Sequence, residues 1–346
     1  MNATRRNPIM KGLGIAVAVL LLVAAIAGGL FYSGYRSFLE TPLNAAPGGT
    51  VIEVQRGETT REVINRLATM GLTGNGWQWR VLNRLQPVTI QAGEFLVPPG
   101  TTPPQLLERF ASGQVIQHRF TIVEGWRYRD LAEALQAMPR LAVDAHLLDP
   151  ANVMAEIGSE ETHPEGWFLP ETYAWVAGDT ALDLLGRAHA AMRAALAAEW
   201  SDRDPDVPLK TPYELLTLAS IVEKETAVDG ERAEVAGVFV RRLNQRWRLE
   251  TDPTVIYGLG ESFDGDIRYR DLRADTPYNT YTRYGLPPTP IALPGRDSLA
   301  ATARPADGTA MFFVADGRGG HVFSDTLEAH NRAVRAFLDQ QQNGGQ

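Results

Sequence analysis

The sequence predicts an α+β protein with a single N-terminal transmembrane helix, a small module of mixed α and β, and a larger α+β domain. Three observations predict it. Gly12 to Tyr32 contains no charged residue and is mostly Ala, Val, Leu and Ile; as a helix it would be about 32 Å long, enough to span a bilayer. Beyond it, short alternating runs of strand type and longer runs of helical spacing follow one another with no internal repeat. At 346 residues the chain can hold two modest domains or one large one, with a sizeable core.

Arg5, Arg6 and Lys11 precede the apolar run and only Arg36 follows it closely, so the positive-inside rule places the N-terminus in the cytoplasm and everything after Ser33 outside. A cleaved signal peptide is the competing reading, because the same three residues would make a basic n-region. Against it, the run is longer than the usual apolar h-region, and its exit, Gly28 to Gly34, matches a small-x-small cleavage site poorly. The expected order is a cytoplasmic tail over 1–11, a transmembrane helix over 12–34, a tether over 35–48 marked by Pro42 and Pro47, a small module over 49–117 and the larger domain over 118–340.

Composition narrows the chemistry. The chain has no cysteine, which excludes disulfides, thiolate metal sites and a cysteine nucleophile. Setting Arg5, Arg6 and Lys11 aside leaves 30 basic against 41 acidic residues, about −11, so nucleic acid is not an expected partner. His321 and His330 are too irregularly placed for a metal pair, and Gly317-Arg-Gly-Gly320 lacks the context of a phosphate loop. There is no Gly-x-Ser-x-Gly elbow for a serine nucleophile. No metal or other cofactor is expected.

In the small module, Val51 to Val54 alternates as a strand and Thr59 to Met70 carries Val63, Ile64 and Leu67 at helical spacing; a second cycle runs through Trp77 to Leu85 and Gly93 to Val97, before Leu106 to Phe110. In the larger domain, Phe120 to Val123 reads as a strand, Arg129 to Met138 as a helix and Leu182 to Trp200 as a long Ala-rich helix. A helix at Arg232 to Trp247, strands at Met311 to Ala315 and His321 to Phe323, and a helix near Leu327 to Leu338 complete it.

The helix before Arg232 carries the most information. Thr211-Pro-Tyr-Glu214 supplies an N-cap, a proline at the first helical position and a Glu at N3, and the run ends in Leu218-Ala-Ser-Ile-Val-Glu-Lys-Glu-Thr226. Leu215, Leu218, Ala219 and Val222 form one apolar arc, with Glu223 at one margin and Glu225 nearer the other side. A carboxyl against an apolar surface is poorly solvated when charged, so it can hold a proton near neutral pH and serve as a general acid. Periodicity does not choose between Glu223 and Glu225, and a solvated helix-end carboxylate is the plain alternative for either.

Two clusters, Glu250-Thr-Asp-Pro-Thr-Val-Ile-Tyr-Gly258 and Thr276-Pro-Tyr-Asn-Thr-Tyr281, read as loops rich in binding groups. Tyr rings can cover sugar faces, and Asn and Thr can hydrogen-bond hydroxyls and acetamides. The residues expected to contact such a ligand are Glu225, Asp252, Thr254, Tyr257, Tyr278, Asn279 and Tyr281.

These segments, in this order and together with Glu165-Gly-Trp-Phe-Leu-Pro-Glu-Thr-Tyr173, Gly285-Leu-Pro-Pro288 and Phe313-Val-Ala-Asp-Gly317 through His321, resemble the MltG (YceG-like) endolytic murein transglycosylases over nearly the whole chain after the apolar run. The resemblance implies that 49–117 is a LysM-like module and that Glu223 is the catalytic acid/base. It implies a bacterial inner-membrane protein with a periplasmic catalytic domain, acting on peptidoglycan glycan strands beside peptidoglycan synthases. The implied reaction is lytic: Glu223 protonates the leaving oxygen of a MurNAc to GlcNAc β-1,4 bond and then takes the proton of the MurNAc C6 hydroxyl, leaving a 1,6-anhydro end. A hydrolase would need a second carboxylate, for which Glu225, Asp252 and Asp275 are candidates, and a non-catalytic glycan-binding scaffold would tolerate loss of Glu223.

Overall fold

The computed structural model describes residues 8–74 and 76–344. The protein is mixed helix and sheet, and its chain divides into two compact units, Met1–His118 with Val176–Gly178, and Arg119–Trp175 with Asp179–Gln346. Arg5 and Arg6 of the expected cytoplasmic tail lie outside the described residues.

The first unit begins with α1 (Pro8–Glu40), the one helix among the described residues long and apolar enough to cross a membrane. Its side chains from Leu13 to Tyr32 are exposed. The helix continues past the expected end of the span, and the residues that follow are fastened to the module: Leu43 is buried, Leu43 N–H donates to Thr101 O (2.8 Å) and Asn44 N–H to Leu72 O (2.8 Å). The segment read as a tether is therefore in part helical and in part docked. Phe38, on the last turns of α1, meets the edge of Trp79 with ring centroids 5.2 Å apart.

β1 (Thr50–Val54) and β2 (Gly93–Val97) pair antiparallel, Thr50 opposite Val97 and Val54 opposite Gly93. α2 (Thr60–Thr69), α3 (Trp77–Leu85) and α4 (Pro103–Ser112) pack with this two-stranded sheet. Ile52, Val63, Leu67, Trp79, Phe95, Leu106 and Phe110 make the core. Thr59 and Glu62 form the capping box that starts α2.

In the second unit β3 (His118–Thr121) pairs with β4 (Thr172–Trp175), and α5 (Tyr128–Gln136), the one-turn α6 (Val153–Glu156) and α7 (Ala181–Ser201) surround that pair's end of the core. Next come α8 (Pro212–Glu225), α9 (Arg232–Asn244), α10 (Asp252–Leu259), α11 (Tyr269–Arg273) and α12 (Arg296–Ala303). An antiparallel hairpin, β5 (Phe312–Ala315) with β6 (His321–Ser324), and α13 (Leu327–Gly344) complete it. α9 stops three residues short of the expected end because Arg246 takes a left-handed φ of 52°.

α8 lies at the centre, packed by α7, α9, α10 and α12. Leu215 through Val222 are all buried, so the single apolar arc expected from periodicity is corrected: every face of the helix is covered. Its polar residues are buried with partners. Thr217 Oγ1 donates to Tyr213 O (2.8 Å), and Ser220 Oγ donates to Thr217 O (2.7 Å) while accepting from Ile291 N–H (2.9 Å). The start of the helix is as the sequence dictates, with Thr211 Oγ1 accepting from Glu214 N–H at 3.2 Å.

Two further differences bear on the site. The cluster from Glu250 to Gly258, read as a loop, is the helix α10; Thr251 is its N-cap position and Pro253 lies in its first turn. α12 was not predicted at all, since Arg-Asp-Ser-Leu-Ala-Ala-Thr-Ala is short and has no cap signal before it.

Candidate active site

The end of α8 separates its two glutamates. Glu223 is half-buried, and its Oε2 accepts two hydrogen bonds from the start of α12, from Gly295 N–H at 2.9 Å and from Ser298 Oγ at 2.7 Å. Its surroundings are thus polar on one side, where the apolar arc led us to expect bare hydrocarbon. Both bonds fall on one oxygen, Oε2. Lys224, opposite, donates from Nζ to Gly125 O at 3.2 Å.

Glu225 faces the other way, toward α10, and accepts a short hydrogen bond from Thr251 Oγ1. Burial pushes its carboxyl up to about 7, with Asp252 adding in the same direction; Thr251, His321 and Arg242 oppose. Asp252 Oδ1 accepts from Tyr281 OH at 2.6 Å. Burial, reinforced by that bond, holds the Tyr281 hydroxyl far above the ordinary tyrosine range. Asp275, the third candidate for a second carboxylate, is exposed and ion-paired with Arg283 Nε at 2.8 Å.

Thr254 and Asn279 are completely or almost completely buried, and their hydrogen bonds are spent inside the protein. Thr254 Oγ1 donates to Thr251 O (2.7 Å) and meets Thr280 Oγ1 at 2.9 Å. The Asn279 amide nitrogen reaches the carbonyls of Asp271 (3.2 Å), Leu272 (3.1 Å) and Ala274 (2.7 Å), and its Oδ1 accepts from Tyr281 N–H at 2.9 Å. Through these bonds Asn279 and Thr254 tie down the loop that carries Tyr278 and Tyr281.

Tyr257 and Tyr278 do come together, rings 4.9 Å apart, with the Arg127 guanidinium 5.3 Å from the Tyr257 centroid. Tyr278 OH lies 2.9 Å from Thr289 Oγ1. Tyr257 OH donates at 3.1 Å to Glu165 Oε2, and Tyr128 N–H donates to Glu165 Oε1 at 2.9 Å. Glu165 is 4% exposed, and burial pushes its carboxyl up to about 7 despite those two bonds and the nearby Arg127. The sequence quoted Glu165 only as the start of a motif. Gly166 beside it shows why the motif has glycine there: its φ is +85°, and a Cβ would sit 2.6 Å from Pro290 Cγ.

Sequence reasoning missed Gly295 and Ser298, which lie more than seventy residues from Glu223 in a stretch without a motif. It also missed Glu231, which binds His321 through its backbone N–H (2.9 Å) and Nδ1 (2.7 Å).

Residues 52–336 match the YceG-like family. The endolytic murein transglycosylase of Bacillus subtilis (strain 168) is 29% identical to this chain, over 72% of the chain and 73% of the relative. The protein of the same name from Streptococcus pneumoniae serotype 2 is 25% identical over 94% of this chain, which spans only 66% of that relative's length. The crystal structure of a yceG-like protein from Listeria monocytogenes superposes with a TM-score of 0.52 at 26% identity, over 83% of this chain and 99% of the other. The family resemblance read from the motifs is borne out across most of the chain, and this protein belongs to the YceG-like family.

Proposed function

We propose that the protein is a membrane-anchored endolytic lytic transglycosylase of peptidoglycan with Glu223 as its acid/base. The observation that carries this is the carboxyl of Glu223, fixed through Oε2 by Gly295 and Ser298 in a chain whose relatives are named endolytic murein transglycosylases. Glu223 Oε1 protonates the glycosidic oxygen as the bond from MurNAc C1 breaks. The resulting carboxylate then takes the proton from the MurNAc C6 hydroxyl while O6 bonds to C1, so the proton lost in the first half is regained in the second. The product is a strand ending in 1,6-anhydro-MurNAc, and the cut within nascent strands ends their elongation.

Tyr257 and Tyr278 suit a sugar face, and Asp252 with Tyr281 suits hydroxyls at the other end of α10. The first unit is proposed to be LysM-like and to hold glycan. α1, apolar and exposed along its span, supports a single-pass anchor in the inner membrane with the rest of the chain in the periplasm, beside the synthases that make the strands.

The test is digestion of uncrosslinked glycan strands by the purified full chain, with mass analysis of the new ends. Ends lighter by one water and resistant to borohydride are expected. Reducible ends would mean hydrolysis, and no cleavage would leave only a binding role.

A further inference from the structure

The turn between β3 and α5 brings an unassigned carboxylate, Glu124, to Glu223. Its neighbours tie it to the segment entering α12: Gly125 N–H donates to Leu293 O (3.0 Å), Leu293 N–H donates to Trp126 O (2.7 Å), and Trp126 N–H closes the turn on Val123 O (3.3 Å). Lys224 Nζ pins the same turn from α8 through Gly125 O. The register that results lays the Glu124 carboxyl over Gly295, where a Cβ would fall 2.0 Å from Glu124 Oε1 and 2.6 Å from its Cδ.

Gly295 has φ −75°, which any residue adopts, so the backbone does not demand glycine there. What the missing side chain supplies is room for the carboxyl. The same glycine donates its N–H to Glu223 Oε2, and the path through it holds Glu124 Oε1 within about 7.5 Å of Glu223 Oε2. Paired carboxylates that flank a scissile glycosidic bond stand about 5–9.5 Å apart. The Glu124 side chain is 47% exposed, within reach of a ligand, and its Oε2 is 3.9 Å from Nη2 of the buried Arg232.

We propose that Glu124 is the second carboxylate of the glycan site, resting on the reading of Glu223 as acid/base. Its negative charge faces the anomeric centre and stabilises the positive charge that develops on C1 and the ring oxygen as the glycosidic bond breaks. It makes no covalent bond and moves no proton, so the proton cycle of Glu223 and the anhydro product are unchanged. Its carboxylate therefore belongs to the transition state more than to substrate binding, and its loss should fall on kcat.

The experiment compares the full chain with Glu124→Gln, Gly295→Ala, Glu124→Ala and the Glu124→Ala/Gly295→Ala pair on uncrosslinked strands. Glu124→Gln should lower kcat about tenfold or more, with KM within about twofold, the melting temperature held and anhydro ends retained. Gly295→Ala must push the carboxyl aside, so it should cost activity in the parent and add little once Glu124 is alanine. The proposal is overturned if Glu124→Gln keeps kcat within about twofold. It is equally overturned if Gly295→Ala costs as much with the carboxylate absent, or if Glu124→Gln lowers only the melting temperature, the mark of a structural partner for Arg232. Reducible ends from the parent would instead sink the lyase reading, and full activity in Glu223→Gln the acid/base assignment, while the kcat ratio would still judge Glu124.

Discussion

The carboxyl of Glu223 is oriented through one oxygen by two donors that belong to the first turn of another helix. Glu223→Gln keeps the shape but carries no transferable proton, so cleavage should fall at least about a hundredfold while the melting temperature barely moves. Retained activity in a folded variant would refute the assignment. The position of Glu223 at the end of a capped apolar helix was legible, because capping and periodicity are local. Its partners were not, since Gly295 and Ser298 reach it only through tertiary packing. Glu165 was equally hidden: nothing local marks a carboxyl that will be buried under Tyr257. Its raised value, about 7 against an ordinary 4.5, means that the folded state holds a proton the unfolded chain releases, so its contribution to stability is full below about 4.5 and falls as pH rises through 7. Glu225 acts with the same sign. Thermal melts at pH 5.5 and 8 should therefore show the parent losing stability toward pH 8, and Glu165→Gln losing less. Equal losses in the two proteins would show that the burial argument is wrong.

At the scale of elements, α8 and α10 divide the labour. α8 carries Glu223 and Glu225 in its last turn, and α10 runs from the Glu225 latch at Thr251 to the aromatic pair at Tyr257. α8 was readable because Thr211, Pro212 and Glu214 announce its start, although complete burial erased the one-sided pattern that periodicity looks for. α10 was misread because Thr-Asp-Pro-Thr and a trailing Gly are the residues of loops as well as of helix starts. Its first turn is held from outside by Thr280, whose Oγ1 accepts from Thr251 N–H and meets Thr254 Oγ1. Asn279→Ala would strip a donor from three carbonyls and an acceptor from Tyr281 N–H, at a cost of roughly 1–2 kcal/mol. Denaturant melts should register that loss, and cleavage should drop with it because Tyr278 and Tyr281 lose their support. An unchanged midpoint would mean that the loop holds itself without Asn279.

For the whole molecule, the decisive property is that α1 has no protein to bury it. Among the described residues its side chains from Leu13 to Tyr32 are exposed, including Leu13, Leu20 and Leu30 at 67%, 70% and 71%, and its apolar length is that of a bilayer core. Lipid is the partner proposed above for this surface. At its C-terminal end the helix runs on into the rest of the first unit, with Phe31 stacked on Trp77 at 4.0 Å. The apolar run was legible from composition, whereas this docking was not, because the proline and glycine residues after Glu40 read equally well as a free tether. If α1 is an uncleaved anchor with its basic end in the cytoplasm, protease added to the outer face of the inner membrane should digest the bulk of the protein and leave a short membrane-embedded fragment. Mass analysis of the mature chain should then find Met1 or Asn2 at its terminus, and alkaline carbonate should leave the protein with the membranes. A mature chain starting near Ser33, released by carbonate, would show that the segment is a signal peptide and that the catalytic unit works untethered.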